Sequence, residues 1–321
     1  MLSHYGREAR TASIAHWRGF DRLPPAPLLP LAFDDEKVRF IVVGDVHWLT
    51  VGDFRDTALR AAIADLNTWK PNALIQIGDL GHNFPERVES AHAILKTGCK
   101  RPMKFVVGNH DIYEYAPGTN SAPAVSSFLQ RPTPMTDSFT MVSGDNSLFI
   151  RCIILDCNYY RYHPSRIHPV YVTGDYLGSN DALDPGSGYY RQIGTTQLNW
   201  MADELAKDTT SQAVIVFSHY PLAQIGIVPL DGKLVADILQ VDGRPAALFS
   251  GHIHPDATTY TLPSTDGIAT YTVYKMPALQ ESGAWLRVEL HVTEGAIVID
   301  QLLVKNFTQP GTWTINAPFT V

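Results

Sequence analysis

Five short polar clusters in this chain carry the residue types that hold metal ions: Gly44-Asp45-Val46-His47, Gly78-Asp79-Leu80, Gly108-Asn109-His110-Asp111, Ser218-His219-Tyr220-Pro221 and Gly251-His252-Ile253-His254. Together they offer carboxylate, amide and imidazole donors enough for two cations. A mixed oxygen and nitrogen set suits Mn, Fe or Zn better than calcium, which prefers oxygen alone. A pair of cations ~3.5–4 Å apart activates water, neutralises phosphoryl oxygens and holds a displacement in line. Hydrolysis of phosphate esters is therefore the chemistry to expect. Asp45 and His47 are two residues apart, as are His252 and His254. In an extended segment both members of such a pair face one side and can reach one site, each His of the second pair at a different metal. A single Asp-x-His or His-x-His is common on surface loops; the weight lies in the combination.

Each cluster ends an apolar run. Val38-Arg39-Phe40-Ile41-Val42-Val43 leads to Gly44, Ala73-Leu74-Ile75-Gln76-Ile77 to Gly78, Met103-Lys104-Phe105-Val106-Val107 to Gly108, Ala213-Val214-Ile215-Val216-Phe217 to Ser218, and Ala246-Ala247-Leu248-Phe249 to Ser250. These read as buried strands, joined by Leu148–Leu155 as a further one. Helical spacing over Asp56–Trp69, and again from Pro85 to Leu95, gives a strand, helix, strand succession and hence an α/β chain. Ligands in open α/β sheets bind outside the carboxyl ends of strands, which is where all five clusters fall. Residues 1–36 keep no apolar period and are rich in proline, so they read as an irregular arm ahead of a single domain over 37–321. Three late segments, Ala269–Tyr274, Ala284–Leu290 and Ala296–Asp300, are expected to be antiparallel strands completing a second sheet.

The order D-x-H, G-D, G-N-H-D, a strand-end His and G-H-x-H resembles the calcineurin-like metallophosphoesterase superfamily. The resemblance implies a four-layer α/β/β/α sandwich with two mixed central sheets. It also implies two divalent or trivalent metal ions, Asp45, His47 and His254 on one, Asn109, His219 and His252 on the other, and Asp79 bridging. It assigns His110 to the substrate phosphate and leaving oxygen, with Asp111 placed to orient that imidazole, and it implies hydrolysis by metal-bound hydroxide with no covalent intermediate. His82 stands three residues after Asp79, where purple acid phosphatases would need a metal-binding tyrosine, so that subclass is disfavoured and a substrate role for His82 is entertained. The Gly-Asp-x-x-Asp-Arg-Gly and Arg-Gly-Asn-His-Glu blocks of protein Ser/Thr phosphatases are absent. Gln197-Leu198-Asn199-Trp200-Met201 is similar to a Q-L-x-W-L pattern of cyclic-nucleotide phosphodiesterase-like and ADP-ribose/CDP-alcohol diphosphatase-like members, with Thr195 as the expected N-cap. Small phosphodiesters or nucleotide diphosphates are thus the expected substrates. A phosphomonoesterase, or a non-catalytic metal-dependent binding scaffold, is the alternative.

Half of the chain's 14 tyrosines lie between Asn158 and Arg191. Such a long aromatic stretch reads either as a lid, with Tyr159, Tyr160 and Arg161 as substrate contacts, or as a packed surface loop. Residues Ile112 to Phe139 are a second candidate wall. His16, His92 and His291 have no second ligand at useful spacing, and Cys152 and Cys157 read as buried structural thiols. The net charge of −7 and pI near 5.9 leave no basic stripe for extended nucleic acid. No apolar run is long enough to span a membrane, and no pattern specifies an oligomer. Three cysteines and no secretory apolar run near the N-terminus point to a cytoplasmic setting.

Overall fold

The computed structural model describes residues 33–82, 84–112, 134–157, 193–222, 232–254 and 257–306, together with Val125, Leu129 and strand residues 313–314 and 319–320. In β1 (Val38–Val43) every residue is buried, and the period of two divides them. Val38, Phe40 and Val42 face one core, while Ile41 and Val43 face another. Arg39 is buried in the same strand because its guanidinium is held by Asp35 at 2.7 Å and Glu289 at 2.5 Å. The same two-sided burial recurs in β2 (Ala73–Ile77), β6 (Ala213–Ser218) and β7 (Ala246–Ser250). Strands covered on both faces read as near-continuous apolar runs, which is why they are visible in the sequence.

The first sheet runs β12-β11-β10-β1-β2-β3, with β3 at Met103–Val106, β10 at Ala284–Thr293, β11 at Ala296–Asn306 and β12 at Trp313–Thr314; β13 (Phe319–Thr320) also pairs with β11. The second sheet runs β4-β5-β6-β7-β9-β8, from β4 (Asp137–Val142) and β5 (Phe149–Leu155) to β8 (Thr258–Pro263) and β9 (Thr270–Lys275). Between the sheets lies a core in which Phe40 meets Phe217 and Phe249 edge to face, at ring separations of 5.8 and 5.4 Å. On the outer face of the first sheet pack α1 (Phe54–Trp69) and α2 (Pro85–Gly98). On the outer face of the second pack α4 (Thr195–Lys207) and α5 (Gly232–Asp242). Two short helices, α3 (Asn109–Ile112) and α6 (Leu279–Ser282), lie at the strand ends. The result is the expected α/β/β/α sandwich with two mixed sheets.

Phe40→Ala is expected to lower stability by about 3–5 kcal/mol, because the ring is fully buried and the cavity opens between two aromatic neighbours. Urea unfolding of chelator-treated protein measures this free of metal linkage. A loss under about 1 kcal/mol would show that the inter-sheet core does not pack as described.

Two expectations need correction. Of the three late segments only β9 joins the second sheet, where it runs antiparallel to β8 as expected but parallel to β7. β10 and β11 return to the first sheet, where β10 pairs antiparallel with β1 from Val38↔Leu290 to Val42↔Leu286. Apolar alternation shows that a segment is a strand but not which of two similar edges it will satisfy. The N-cap of α4 is Gly194 rather than Thr195, with φ 84° and no side-chain cap bond. Leu198, Met201 and Leu205 are buried against the second sheet, as their spacing requires. Cys99, Cys152 and Cys157 are buried thiols. His92 lies on α2 with its ring against Phe105, and His291 is hydrogen-bonded to Asp300 at 2.8 Å. Only the end of the expected arm, from Phe33, is described; there Phe33 packs under the Arg39 guanidinium. His16, and residues 113–124, 126–128 and 130–133 of the stretch from Ile112 to Phe139, lie outside the described residues. So do Tyr159, Tyr160 and Arg161.

Candidate metal centre

The loops beyond the strands continue the pairing of the strands themselves. Asp45 N–H donates to Gly78 O at 3.1 Å, His47 N–H to Asp79 O at 2.9 Å and Trp48 N–H to Leu80 O at 2.9 Å, so the loops after β1 and β2 are held edge to edge. From the second sheet, Gly251 N–H donates to His219 O, and His252 N–H reaches both carboxylate oxygens of Asp45 at 3.1 and 3.0 Å. These bonds draw the carboxyl ends of both sheets to one place.

The extended geometry expected for the Asp45/His47 and His252/His254 pairs is not what the structure adopts. Asp45, His47, Asp79 and His252 all have left-handed backbones, with φ of 49°, 45°, 54° and 69°. Each such position costs on the order of 1–3 kcal/mol for a residue with a side chain, and their concentration at one site marks it as functional. The side chains converge through these kinks instead of through strand alternation.

Two donor groups result. In one, His254 Nε2 lies 3.1 Å from Asp45 Oδ1 with His47 beside them. In the other, His219 Nε2 lies 3.1 Å from Asn109 Oδ1 and 3.2 Å from His252 Nδ1. Asp79 stands between: its Oδ2 is 3.4 Å from His47 Nε2 and 3.3 Å from His219 Nε2, while its Oδ1 accepts the His110 N–H at 2.8 Å. One carboxylate oxygen thus faces an imidazole of each group.

These residues fit a pair of metal ions. His47 Nε2 is buried with no hydrogen-bond partner, and burial holds the ring neutral, pulling it down to about 3. A buried lone pair of this kind is costly unless a cation takes it. His219 donates its Nδ1–H to Ile77 O at 3.0 Å, which leaves Nε2 as the ligand atom. Burial disfavours charge on His219, yet Asp79 outweighs it and lifts the ring to about 9. Asp79 in turn is held well below the usual carboxylate range despite its burial. A proton and a metal therefore compete for the same Nε2.

Several supporting residues could not be found from the clusters. Glu281, in α6, accepts the Nδ1–H of His254 at 2.7 Å and so directs Nε2 toward Asp45. It stands 27 residues beyond its partner with no motif of its own. Gln76, fully buried in β2, accepts from Gly78 N–H and donates to Gly78 O, bracing the turn that presents Asp79. Gln197 donates to Asp156 O at 2.7 Å and Ile193 O at 2.6 Å, tying the chain just before the tyrosine-rich stretch to the chain just after it. That accounts for the glutamine of the Q-L-x-W pattern.

His110 is the second residue of α3, beside the cage, its ring 4.6 Å from that of His47 and stacked on His82 at 5.4 Å. Asp111 is fully buried, and its oxygens accept the N–H groups of Gly81 at 3.0 Å and Gly108 at 2.8 Å, which clamps two of the site loops together. Burial, reinforced by the Asp79 charge, pushes Asp111 up to about 7. His82 lies against His47, Nδ1 to Nδ1 at 3.0 Å.

Two donor groups sharing a carboxylate, at the strand ends of a two-sheet sandwich, are what a metal-dependent phosphoesterase needs. The family model for calcineurin-like phosphoesterases matches residues 38–256, and the chain belongs to that family. It is a hydrolase acting on phosphate esters, in a family that depends on two metals. Among curated proteins it is similar to a probable cyclic nucleotide phosphodiesterase of Rhodopseudomonas palustris, 25% identical over 230 residues, which cover 68% of this chain and 72% of that protein. Among solved structures it is similar to a dimetal phosphatase from Danio rerio, 15% identical with a TM-score of 0.58, covering 85% of this chain and 100% of that one. It also resembles a purple acid phosphatase from yellow lupin, 11% identical with a TM-score of 0.52, covering 87% of this chain and 53% of that one. Both structural likenesses concern the fold.

Proposed function

We propose that this enzyme hydrolyses small phosphodiesters or nucleotide diphosphates with Mn, Fe or Zn in its cage. The observation that carries the dimetal reading is the position of Asp79 Oδ2, 3.4 Å from an imidazole nitrogen of one donor group and 3.3 Å from one of the other. Asp45, His47 and His254 would hold one ion, Asn109, His219 and His252 the other, with Asp79 shared between them. When bound, the ions supply an activated water and charge neutralisation at the phosphoryl oxygens. The chain's own share is positioning and proton transfer. Asp79 Oδ1 takes the His110 N–H and so fixes the start of α3, and the His110 imidazole beside the cage donates a proton to the departing oxygen. The diester preference is supported by the likeness to the probable cyclic nucleotide phosphodiesterase and by the Gln197 pattern.

Protein stripped with chelator and reloaded separately with Mn, Fe or Zn tests this. Turnover of bis(p-nitrophenyl) phosphate is expected to vanish on stripping, return on loading, and exceed that of p-nitrophenyl phosphate by at least about tenfold, a difference of ~1.4 kcal/mol in activation free energy. A monoester rate above the diester rate would replace this reading with a phosphomonoesterase.

A further inference from the structure

His47 can give Nε2 to a metal only if its own proton sits on Nδ1, since a neutral imidazole carries one N–H. That Nδ1 is 3.0 Å from His82 Nδ1. One of two facing nitrogens must be bare for a hydrogen bond to form. With His47 donating, His82 is the acceptor and keeps its own proton on Nε2. The partner of a ligating histidine is ordinarily a carboxylate or carbonyl, as Glu281 is to His254 and Ile77 O is to His219. His47 has an imidazole in that place.

We infer that His82 is the positioning residue of the metal centre: its Nδ1 accepts the Nδ1–H of His47, locks that ring with Nε2 toward Asp79, and is itself locked as the Nε2–H tautomer. The inference rests on the proposed ligation by His47. The surroundings of His82 are built to hold it in place. Its carbonyl accepts from Arg87 at 2.9 Å, the carbonyl of His47 accepts from Arg55 at 2.6 Å, and its ring lies parallel to His110, 9° from coplanar orientation. The adjoining Gly81 is tied to Asp111 and bridged to Trp48. The two loops therefore meet in a fixed register, and the ring-to-ring bond spans the seam between them.

Three histidines, His47, His82 and His110, also offer nitrogens close enough to one another to hold an ion of their own. This arrangement competes with the one inferred, because it would place a nitrogen of His82 on the metal. The tautomers differ and can be read.

The experiment uses the full chain loaded with Zn²⁺, which is diamagnetic. Long-range proton–nitrogen correlation of the histidine rings is expected to show His47 protonated on Nδ1 and metal-shifted on Nε2, with His82 protonated on Nε2 and unshifted by metal. A metal-shifted nitrogen on His82 would overturn the inference. In parallel, Zn²⁺ affinity is measured by competition with a chromophoric chelator. His82→Phe keeps a ring against His110 but has no acceptor, and is expected to weaken one of the two sites by about 10- to 100-fold. His82→Asn places an oxygen near the position of Nδ1 and is expected to stay within about threefold of wild type, since the accepting atom is retained. Equal affinities for His82→Phe and wild type would sink the idea. Failure of the wild-type chain to bind Zn²⁺ at all would instead sink the metal cage on which it depends. If His82→Phe does not fold, the wild-type tautomers still decide.

Discussion

Asp79→Asn is expected to cut metal content from two ions per chain to one or none and to lower phosphodiester turnover by on the order of 10³-fold or more. Asparagine has almost the shape of aspartate, and its oxygen can still accept the His110 N–H that now binds Oδ1 at 2.8 Å. What it lacks is charge on the second atom, the one that faces imidazoles of both donor groups. Two cations a few ångströms apart repel strongly in a dry site, and the bridging carboxylate is the group that offsets this. In the metal-free chain the same change also weakens the hold of His219 on a proton, because Asp79, helped by Asp45 and Ile77 O, raises that ring against its burial. Elemental analysis after gel filtration measures the metal content, and far-UV circular dichroism shows whether the fold survives. Two ions per chain with full turnover in this variant would remove Asp79 from the bridge.

The parts of the fold most legible in the sequence are those buried on both faces. β1, β2 and β6 are near-continuous apolar runs, interrupted singly by Arg39 and Gln76, and the polar clusters at their ends are conspicuous because none of these strands carries several such residues together. Asp45, His47, Asp79, Asn109, His219, His252 and His254 lie together at the strand ends. Their local geometry was another matter. The period of an extended chain would bring Asp45 and His47 to one side, whereas the structure uses positive φ at both. Residue type does not announce a left-handed aspartate or histidine the way glycine does. Destination was hidden too: β10 alternates as any half-buried strand does, and only its pairing with β1 places it in the first sheet. The supporting residues were hidden for a third reason. Glu281, Gln76 and Gln197 act through single hydrogen bonds to distant partners, and an isolated polar residue carries no spacing signal. His82 stood out by its position after Asp79, but its contact with His47 exists only once two loops are in register.

Gly108→Ala tests that register from the side of the backbone. A Cβ at Gly108 would fall 2.1 Å from the backbone nitrogen of Asp79 and 2.2 Å from its Oδ1. Neither atom can yield. The nitrogen belongs to a loop whose carbonyls are already bonded to the loop after β1, and Oδ1 is held by His110. The Gly108 N–H is itself fixed by Asp111 at 2.8 Å, so the glycine cannot swing away without breaking the clamp. Relief must come from moving Asp79, and a shift of about 1 Å in a catalytic group is enough to cost ~10²-fold in rate. The expected result is therefore turnover lowered by about 10²-fold or more, with weaker metal retention and a loss of ~1–3 kcal/mol in stability from overpacking. Gly295→Ala is the comparison: its φ is +77° and nothing lies within 4 Å of the added carbon. That change carries only the backbone cost of a left-handed alanine, ~1–2 kcal/mol, in the β10–β11 turn. The two variants should lose similar stability while differing by about two orders of magnitude in rate. If Gly108→Ala retained full activity, the close approach of this loop to the bridging aspartate would not be a requirement of the site.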